Sequence, residues 1–228
     1  MRALVIQHDD DAPGGLVSAW LHERGADEDD YLISADGRGR DPDPRDYDLV
    51  ISLGSEKSAY DDTVLWVGRE QALLRDAVRA DVPVLGICFG SQILARALGG
   101  RAMRAQQSEI GWLPVRKRDL ALVTEGPWFQ WHYDTFTPPP GATLVADSPA
   151  GPQAYTVGRS LGIQFHPEVT NEIVGEWVSL GGDQLTRAGV DPDRLLAETR
   201  EREAANRSAT WRLMDVFASR VAAVGHGA

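Results

Sequence analysis

Two periods of hydrophobic spacing alternate along the first hundred residues. Arg2–Gln7 (RALVIQ) is an apolar run that reads as a strand. Gly14–Gly25 follows with Leu16, Val17, Trp20 and Leu21 at helical spacing. Tyr31–Ser34 predicts a short second strand, and Asp36–Asp46 (DGRGRDPDPRD) a polar loop rich in Pro and Gly. Tyr47–Gly54 (YDLVISLG) predicts a third strand. Trp66–Ala80 predicts an amphipathic helix with Leu73, Leu74, Ala77 and Val78 on one side. Val82–Cys88 (VPVLGIC) is nearly continuous in apolar residues, the pattern of a strand covered on both faces. Gln92–Leu98 continues as a helix that stops at Gly99-Gly100. Strands alternating with helices imply a doubly wound, mostly parallel sheet of the α/β class.

After residue 100 the pattern shortens. Strand-like pieces are expected around Trp112–Lys117, Leu120–Thr124, Thr143–Asp147 and Gln153–Gly158, with a turn at Pro138–Pro140 and a strongly apolar Leu161–Phe165. Asp191-Pro192 is an N-cap followed by proline in a first helical turn. Farther on, Leu213, Phe217, Val221 and Val224 share a helical face. With no internal repeat and no clear boundary, residues 1–228 are expected to form one domain: an α/β core over about 1–185 and a helical C-terminal appendage over about 186–228.

Composition narrows the function. The 228 residues carry a net charge of −11 and a pI near 4.9, which repels a phosphate backbone and disfavours nucleic acid as a partner. No apolar run approaches the ~18 residues of a membrane span, and the start MRALVIQHDDD has no signal-peptide core; a cytoplasmic location is expected. Cys88 is the one cysteine, so neither an internal disulfide nor a multi-thiolate metal site is expected.

The chemistry concentrates in two short segments. Gly86-Ile87-Cys88-Phe89-Gly90 joins the buried strand to the following helix, the arrangement in which a nucleophile is lifted out of a sheet on a sharp turn. A helix N-terminus there favours thiolate. A Gly-flanked cysteine in a tight connection is equally the plain structural reading. Gln164-Phe165-His166-Pro167-Glu168 ends another apolar strand. Side chains two apart in an extended segment point the same way, so His166 and Glu168 share a side, and Pro167 keeps His166 out of the helical region. A carboxylate beside an imidazole fixes its tautomer and stabilises the imidazolium, which suits a base serving a thiol.

GICFGSQ followed by QFHPEVT resembles the class I glutamine amidotransferases. VPVLGICFGSQILARALGG, WHYDTF, PPGATLVADS and LGIQFHPEVT extend the resemblance over most of the chain, toward stand-alone relatives of the amidotransferase domain of GMP synthase. The resemblance implies a flavodoxin-like sheet with Cys88 as nucleophile, His166 as base then acid, and Glu168 as orienting carboxylate. It implies an oxyanion hole built from the backbone N–H of Phe89 and from the loop Gly54-Ser55-Glu56, which departs from the family's Gly-Gly-Pro. Gln92, Trp131, Tyr133, Asp134 and Glu109 correspond to substrate-holding positions; Tyr133 stands where many members have glycine. His132 is a weaker catalytic candidate, since His166 already has the carboxylate. The implied reaction is hydrolysis of the glutamine side-chain amide through a γ-glutamyl thioester, with ammonia passed to a separate synthetase or acceptor subunit. No metal or organic cofactor is implied. A γ-glutamyl peptidase acting on γ-glutamyl amines or peptides is the alternative. A non-catalytic binding relative draws support from the altered loop. A DJ-1/PfpI-like protein does not fit, because Phe89 follows the cysteine where those proteins carry histidine.

Overall fold

A computed structural model describes residues 1–35, 40–119 and 121–223. Four parallel strands set the frame: β1 (Arg2–Gln7), β2 (Asp27–Leu32), β3 (Leu49–Ser52) and β4 (Val84–Ile87). β10 (Ser160–Ile163) returns to pair parallel with β4, giving the order β2-β1-β3-β4-β10 of a flavodoxin-like doubly wound sheet. β9 (Gly151–Val157), β8 (Thr143–Ser148) and β6 (Arg116–Lys117) extend it antiparallel.

Alternation along each strand sorts the core between the two faces. Ala3, Val5, Leu49, Ile51, Leu85, Ile87, Leu161 and Ile163 pack with α1 (Gly15–Glu23) and α6 (Pro192–Val216). Leu4, Ile6, Val50 and Val84 pack with α2 (Leu65–Arg79) and α3 (Phe89–Ala97). α6 runs on into a π-helical segment, Phe217–Ala222, and its Leu213 and Met214, with Phe217 and Val221, belong to the first of these cores. The Asp191 side chain caps α6 by accepting from Arg194 N–H. Val224 lies outside the described residues, as do Leu120 and Asp36–Gly39 of the expected loop.

Three expectations change. β2 starts at Asp27, not Tyr31: its DEDDYL sequence is tolerated because an edge strand can turn acidic side chains to water. Within 121–124 there is a turn rather than a strand, although Leu122 and Val123 are buried. β5 (Arg101–Leu113) and β7 (Trp128–Thr137) form a separate antiparallel ribbon that periodicity alone did not reveal. The site segment WHYD rides on β7, and a third core of Trp112, Phe129, Val169, Ile173, Val174, Leu185 and Leu195 ties the ribbon to α4 (Asn171–Leu180), α5 (Gly182–Ala188) and α6.

Candidate active site

The elbow can form only because Gly86 and Gly90 carry no side chains. A Cβ on Gly86 would lie 2.5 Å from the Gly90 carbonyl oxygen, and one on Gly90 would lie 2.0 Å from the Ser52 carbonyl oxygen. Cys88, between β4 and α3, has φ 51° and ψ −107°, a conformation that costs a non-glycine residue about 1–3 kcal/mol. Its N–H donates to Ile163 O at 2.8 Å, and Gly90 N–H donates to Leu53 O at 3.0 Å, so β10 and β3 hold the turn from both sides. Phe89 opens α3, where the first N–H groups have no intrahelical acceptor. Among the described residues Ser55 N–H has none either.

His166 and Glu168 follow the end of β10 through a bend at 164–165 and a turn at 167–168, not the extended segment expected, and are both almost fully buried. Glu168 Oε1 accepts from His166 Nδ1–H at 2.6 Å. Burial, the largest single effect, lowers the His166 pKa. The Glu168 charge, a negative Cys88 sulfur and hydrogen bonding to both outweigh it, and the pKa is pushed up to about 10. His166 is thus held as imidazolium beside the Cys88 sulfur through neutrality. Nε2 makes no hydrogen bond within the usual distance and angle among the described residues, so it is left to face Cys88 and the substrate.

The surrounding elements fix this pair. His166 N–H donates to Phe129 O on β7 at 2.8 Å, and the Trp177 ring of α4 packs edge-on at 4.9 Å. Leu16 N–H donates to Glu168 O at 2.8 Å; a Cβ on Gly15 would lie 2.1 Å from that oxygen, so α1 can begin here only with glycine. From α6, Thr210 Oγ1 donates to Pro167 O at 2.7 Å, and Asn206 Nδ2 donates to Val169 O at 3.0 Å. The C-terminal helix is therefore part of the support of the His-Pro-Glu segment.

Cys88 and His166 open on a cavity of about 460 Å³, bordered also by Gly54, Ser55, Phe89, Gln92, Trp131, Tyr133 and Asp134. The Gln92 amide is spent within the protein: Nε2 donates to Gln164 Oε1 at 3.1 Å, and Gln164 Nε2 in turn donates to Cys88 Sγ at 3.5 Å. Asp134 accepts from Ser58 Oγ at 2.6 Å and pairs with Arg104 at 3.5 Å. Trp131 donates through Nε1 to Gln184 on α5. Glu109 is placed behind the wall, not on it. Its Oε2 accepts from Ser148 Oγ and Gln153 Nε2 at 2.9–3.0 Å and lies 3.1 Å from His132 Nε2. His132 Nδ1 donates to Asp134 O at 3.0 Å, so both of its ring nitrogens are engaged and neither is free for acid–base work.

Sequence reasoning passed over Gln164, Trp177, Asn206 and Thr210. Gln164 sits inside the QFHPE motif, and a polar residue within the apolar run Leu161–Phe165 was the available signal. The other three carry none, because their spacing is that of ordinary helix faces.

Fold and site together define an α/β protein with a cysteine elbow and a buried histidine–carboxylate pair beside it. The family described as Glutamine amidotransferase class-I matches residues 40–176, and the chain belongs to that family. It is similar to GMP synthase [glutamine-hydrolyzing] of Aeropyrum pernix, 32% identical over 174 residues that cover 70% of this chain and 32% of that protein. The chain thus spans about a third of the length of that relative. A glutamine amidotransferase-like protein of Salmonella typhimurium, YfeJ, is 27% identical over 94% of this chain and 96% of its own length. Among solved structures, a glutamine amidotransferase from Thermotoga maritima matches with a TM-score of 0.87 at 30% identity, over 96% of this chain and 98% of its own. Another from Methylobacillus flagellatus matches with a TM-score of 0.87 at 28% identity, over 95% and 94%.

Proposed function

We propose that the chain hydrolyses the side-chain amide of glutamine through a γ-glutamyl thioester on Cys88 and passes the ammonia to a separate acceptor subunit. The observation that carries this reading is the strained Cys88 and the almost fully buried His166 on the wall of one cavity, with Glu168 bonded behind His166. The thiolate attacks the γ-carbonyl carbon. The oxyanion forms between the N–H groups of Phe89 and Ser55, where preorganised donors act without reorganising. His166 gives its Nε2 proton to the departing nitrogen, the C–N bond breaks and ammonia leaves. Neutral His166 then takes a proton from water, hydroxide attacks the thioester, and glutamate departs as the thiolate and imidazolium return. Glu168 holds the ring throughout. Trp131, Tyr133 and Asp134 line the side that would receive the substrate's α-amino and α-carboxylate groups. The whole chain, C-terminal helix included, acts as one domain.

A second reading, hydrolysis of γ-glutamyl amines or peptides, is favoured by one feature. The Gly54–Glu56 loop is already fastened: Asp9 Oδ2 accepts from Ser55 Oγ at 2.9 Å and Glu56 N–H at 3.3 Å, and Gly54 O bonds to His8. An ammonia donor gains from an unformed loop when alone, whereas a free-standing hydrolase does not. Glutamate release by the purified chain, measured for glutamine and for a panel of γ-glutamyl amides and dipeptides, tests both. Weak release confined to glutamine supports the amidotransferase. A dipeptide cleaved with far higher kcat/KM than glutamine overturns it in favour of the peptidase. Release that survives Cys88→Ala overturns both.

A further inference from the structure

Behind the Gly54–Glu56 loop lies a buried polar cluster that the reaction does not use. His8 just after β1, Ser52 at the end of β3 and Glu70 in α2 are each 0% exposed. Glu70 Oε1 accepts from Ser52 Oγ at 2.6 Å, and Glu70 Oε2 lies 2.7 Å from His8 Nε2. His8 Nδ1 lies 3.0 Å from the Gly54 carbonyl oxygen, which can only accept, so Nδ1 carries a hydrogen and donates. Burial, the largest effect, pulls the His8 pKa down. The Glu70 charge and the hydrogen bonds to Glu70 and Gly54 outweigh it and hold the pKa above its ordinary value. The ring sits against Trp66 at 5.0 Å and Phe89 at 4.7 Å, aromatic neighbours that suit a cation.

A buried histidine–carboxylate contact gives little net stability once desolvation is counted, and this one holds something else in place. It holds a peptide plane. In a trans peptide the C=O and the following N–H point to opposite sides. With Gly54 C=O fixed toward His8, Ser55 N–H points away from it. Gly54 Cα itself stands against the reacting groups: a Cβ there would lie 3.1 Å from His166 Cε1 and 3.9 Å from Cys88 Cβ. Ser55 N–H, without an acceptor among the described residues, therefore has the cavity before it.

We propose that His8, held by Glu70 and Ser52, is a positioning residue that presets the Ser55 N–H as an oxyanion donor. This rests on the reading of Cys88 as acyl carrier. Without His8 the Gly54–Ser55 peptide is free to turn, and a turned peptide presents a carbonyl oxygen to the oxyanion in place of a donor. The His8 Nδ1–H does the work that the Gly-Gly-Pro backbone would otherwise do in a loop that reads Gly-Ser-Glu.

The test uses His8→Leu, which removes both contacts, and His8→Asn, whose amide N–H takes the place of Nδ1–H and keeps the bond to Gly54 O. Folding is checked by thermal melting. For each full-length variant, kcat and KM for glutamate release are measured, together with the rate at which iodoacetamide alkylates Cys88, a reaction that needs the thiolate but no oxyanion hole. His8→Leu is expected to lose about 10²–10³-fold in kcat, the cost of one oxyanion donor, with KM and alkylation unchanged. His8→Asn is expected to recover at least tenfold of that loss. The proposal is overturned if His8→Leu keeps kcat within threefold of wild type, if alkylation falls in step with kcat, or if folded His8→Asn does no better than His8→Leu. Should His8→Leu not fold, Glu70→Gln decides: a drop in kcat at constant KM supports the proposal, and an unchanged kcat overturns it. Cys88→Ala is run alongside. Release that survives it counts against the Cys88 reading as well, whereas release that depends on Cys88 but not on His8 counts against this proposal alone.

Discussion

In the proposed reaction His166 moves the protons and Glu168 holds it to that task, so their losses should differ in size. Removing the orienting partner of a triad leaves nucleophile and base in place, and in other systems costs about 10⁴ against about 10⁶ for the base. Glu168→Gln is therefore expected to keep measurable glutamate release well above His166→Ala; equal kcat in the two would give Glu168 a more direct part. The charge on His166 makes a second prediction. Its pKa is raised from the ordinary 6.5 to about 10, so the imidazolium pairing with Glu168 and Cys88 stabilises the fold in full below about pH 6.5, and that contribution is lost as pH rises through 10. The ¹⁵N signals of His166 should stay those of an imidazolium through neutrality; titration near 6.5 would contradict the pairing. At this scale, that Cys88, His166 and Glu168 would gather at one place was legible because each pair of chemical partners or conformational constraints lies within five consecutive residues. Gln92 and Glu109 were legible only as family positions. Their hydrogen-bond partners, Gln164 for the one and His132, Ser148 and Gln153 for the other, come from strands that meet only in the fold.

α6 reaches the site through two side chains that donate to the His-Pro-Glu backbone. Thr210 Oγ1 is the shorter contact, and Thr210→Val preserves shape while leaving Pro167 O without that donor. Only the long Asn206 Nδ2 contact at 3.5 Å then remains on Pro167 O, and a poorly satisfied buried acceptor costs about 1 kcal/mol or more. A melting temperature lower by several degrees is expected, with kcat reduced more than KM because the displaced segment carries His166; an unchanged kcat would mean that α6 acts on stability alone. The N-cap at Asp191 and the apolar face after it announced this helix, but nothing in the sequence announced its contact with residues 167–169. β7 was missed for a related reason. WFQWHYDTFT alternates buried and partly buried positions, yet nearly every residue is aromatic or polar, so the binary pattern that marks a half-buried strand is blurred. The acidic β2 was shifted because an edge strand owes little to apolar alternation.

At the scale of the molecule, the parallel half of the sheet was readable from strand and helix alternation, and the antiparallel half was not, since its order β10-β9-β8-β6 and the separate β5–β7 ribbon depend on long-range pairing. The C-terminal helix belongs to the same body. Leu213, Met214, Phe217 and Val221 are buried in the core that also holds β1, β3, β4 and β10. At about 1.5–3 kcal/mol for each large apolar side chain returned to water, ending the chain before α6 removes an amount comparable to the whole stability of a domain, about 5–15 kcal/mol. A chain stopped at residue 190 is expected to lack a cooperative melting transition by circular dichroism; a cooperative transition near that of the full chain would make α6 dispensable. All of this architecture converges on one sulfur atom, and the claim that Cys88 is the acyl carrier can be tested at that atom. Diazo-oxo-norleucine, a glutamine-mimicking electrophile, should attach once per chain, peptide mapping by mass spectrometry should find it on Cys88, and glutamate release should fall in proportion to labelling. An adduct on another residue, or full release from a chain labelled elsewhere, would contradict the account.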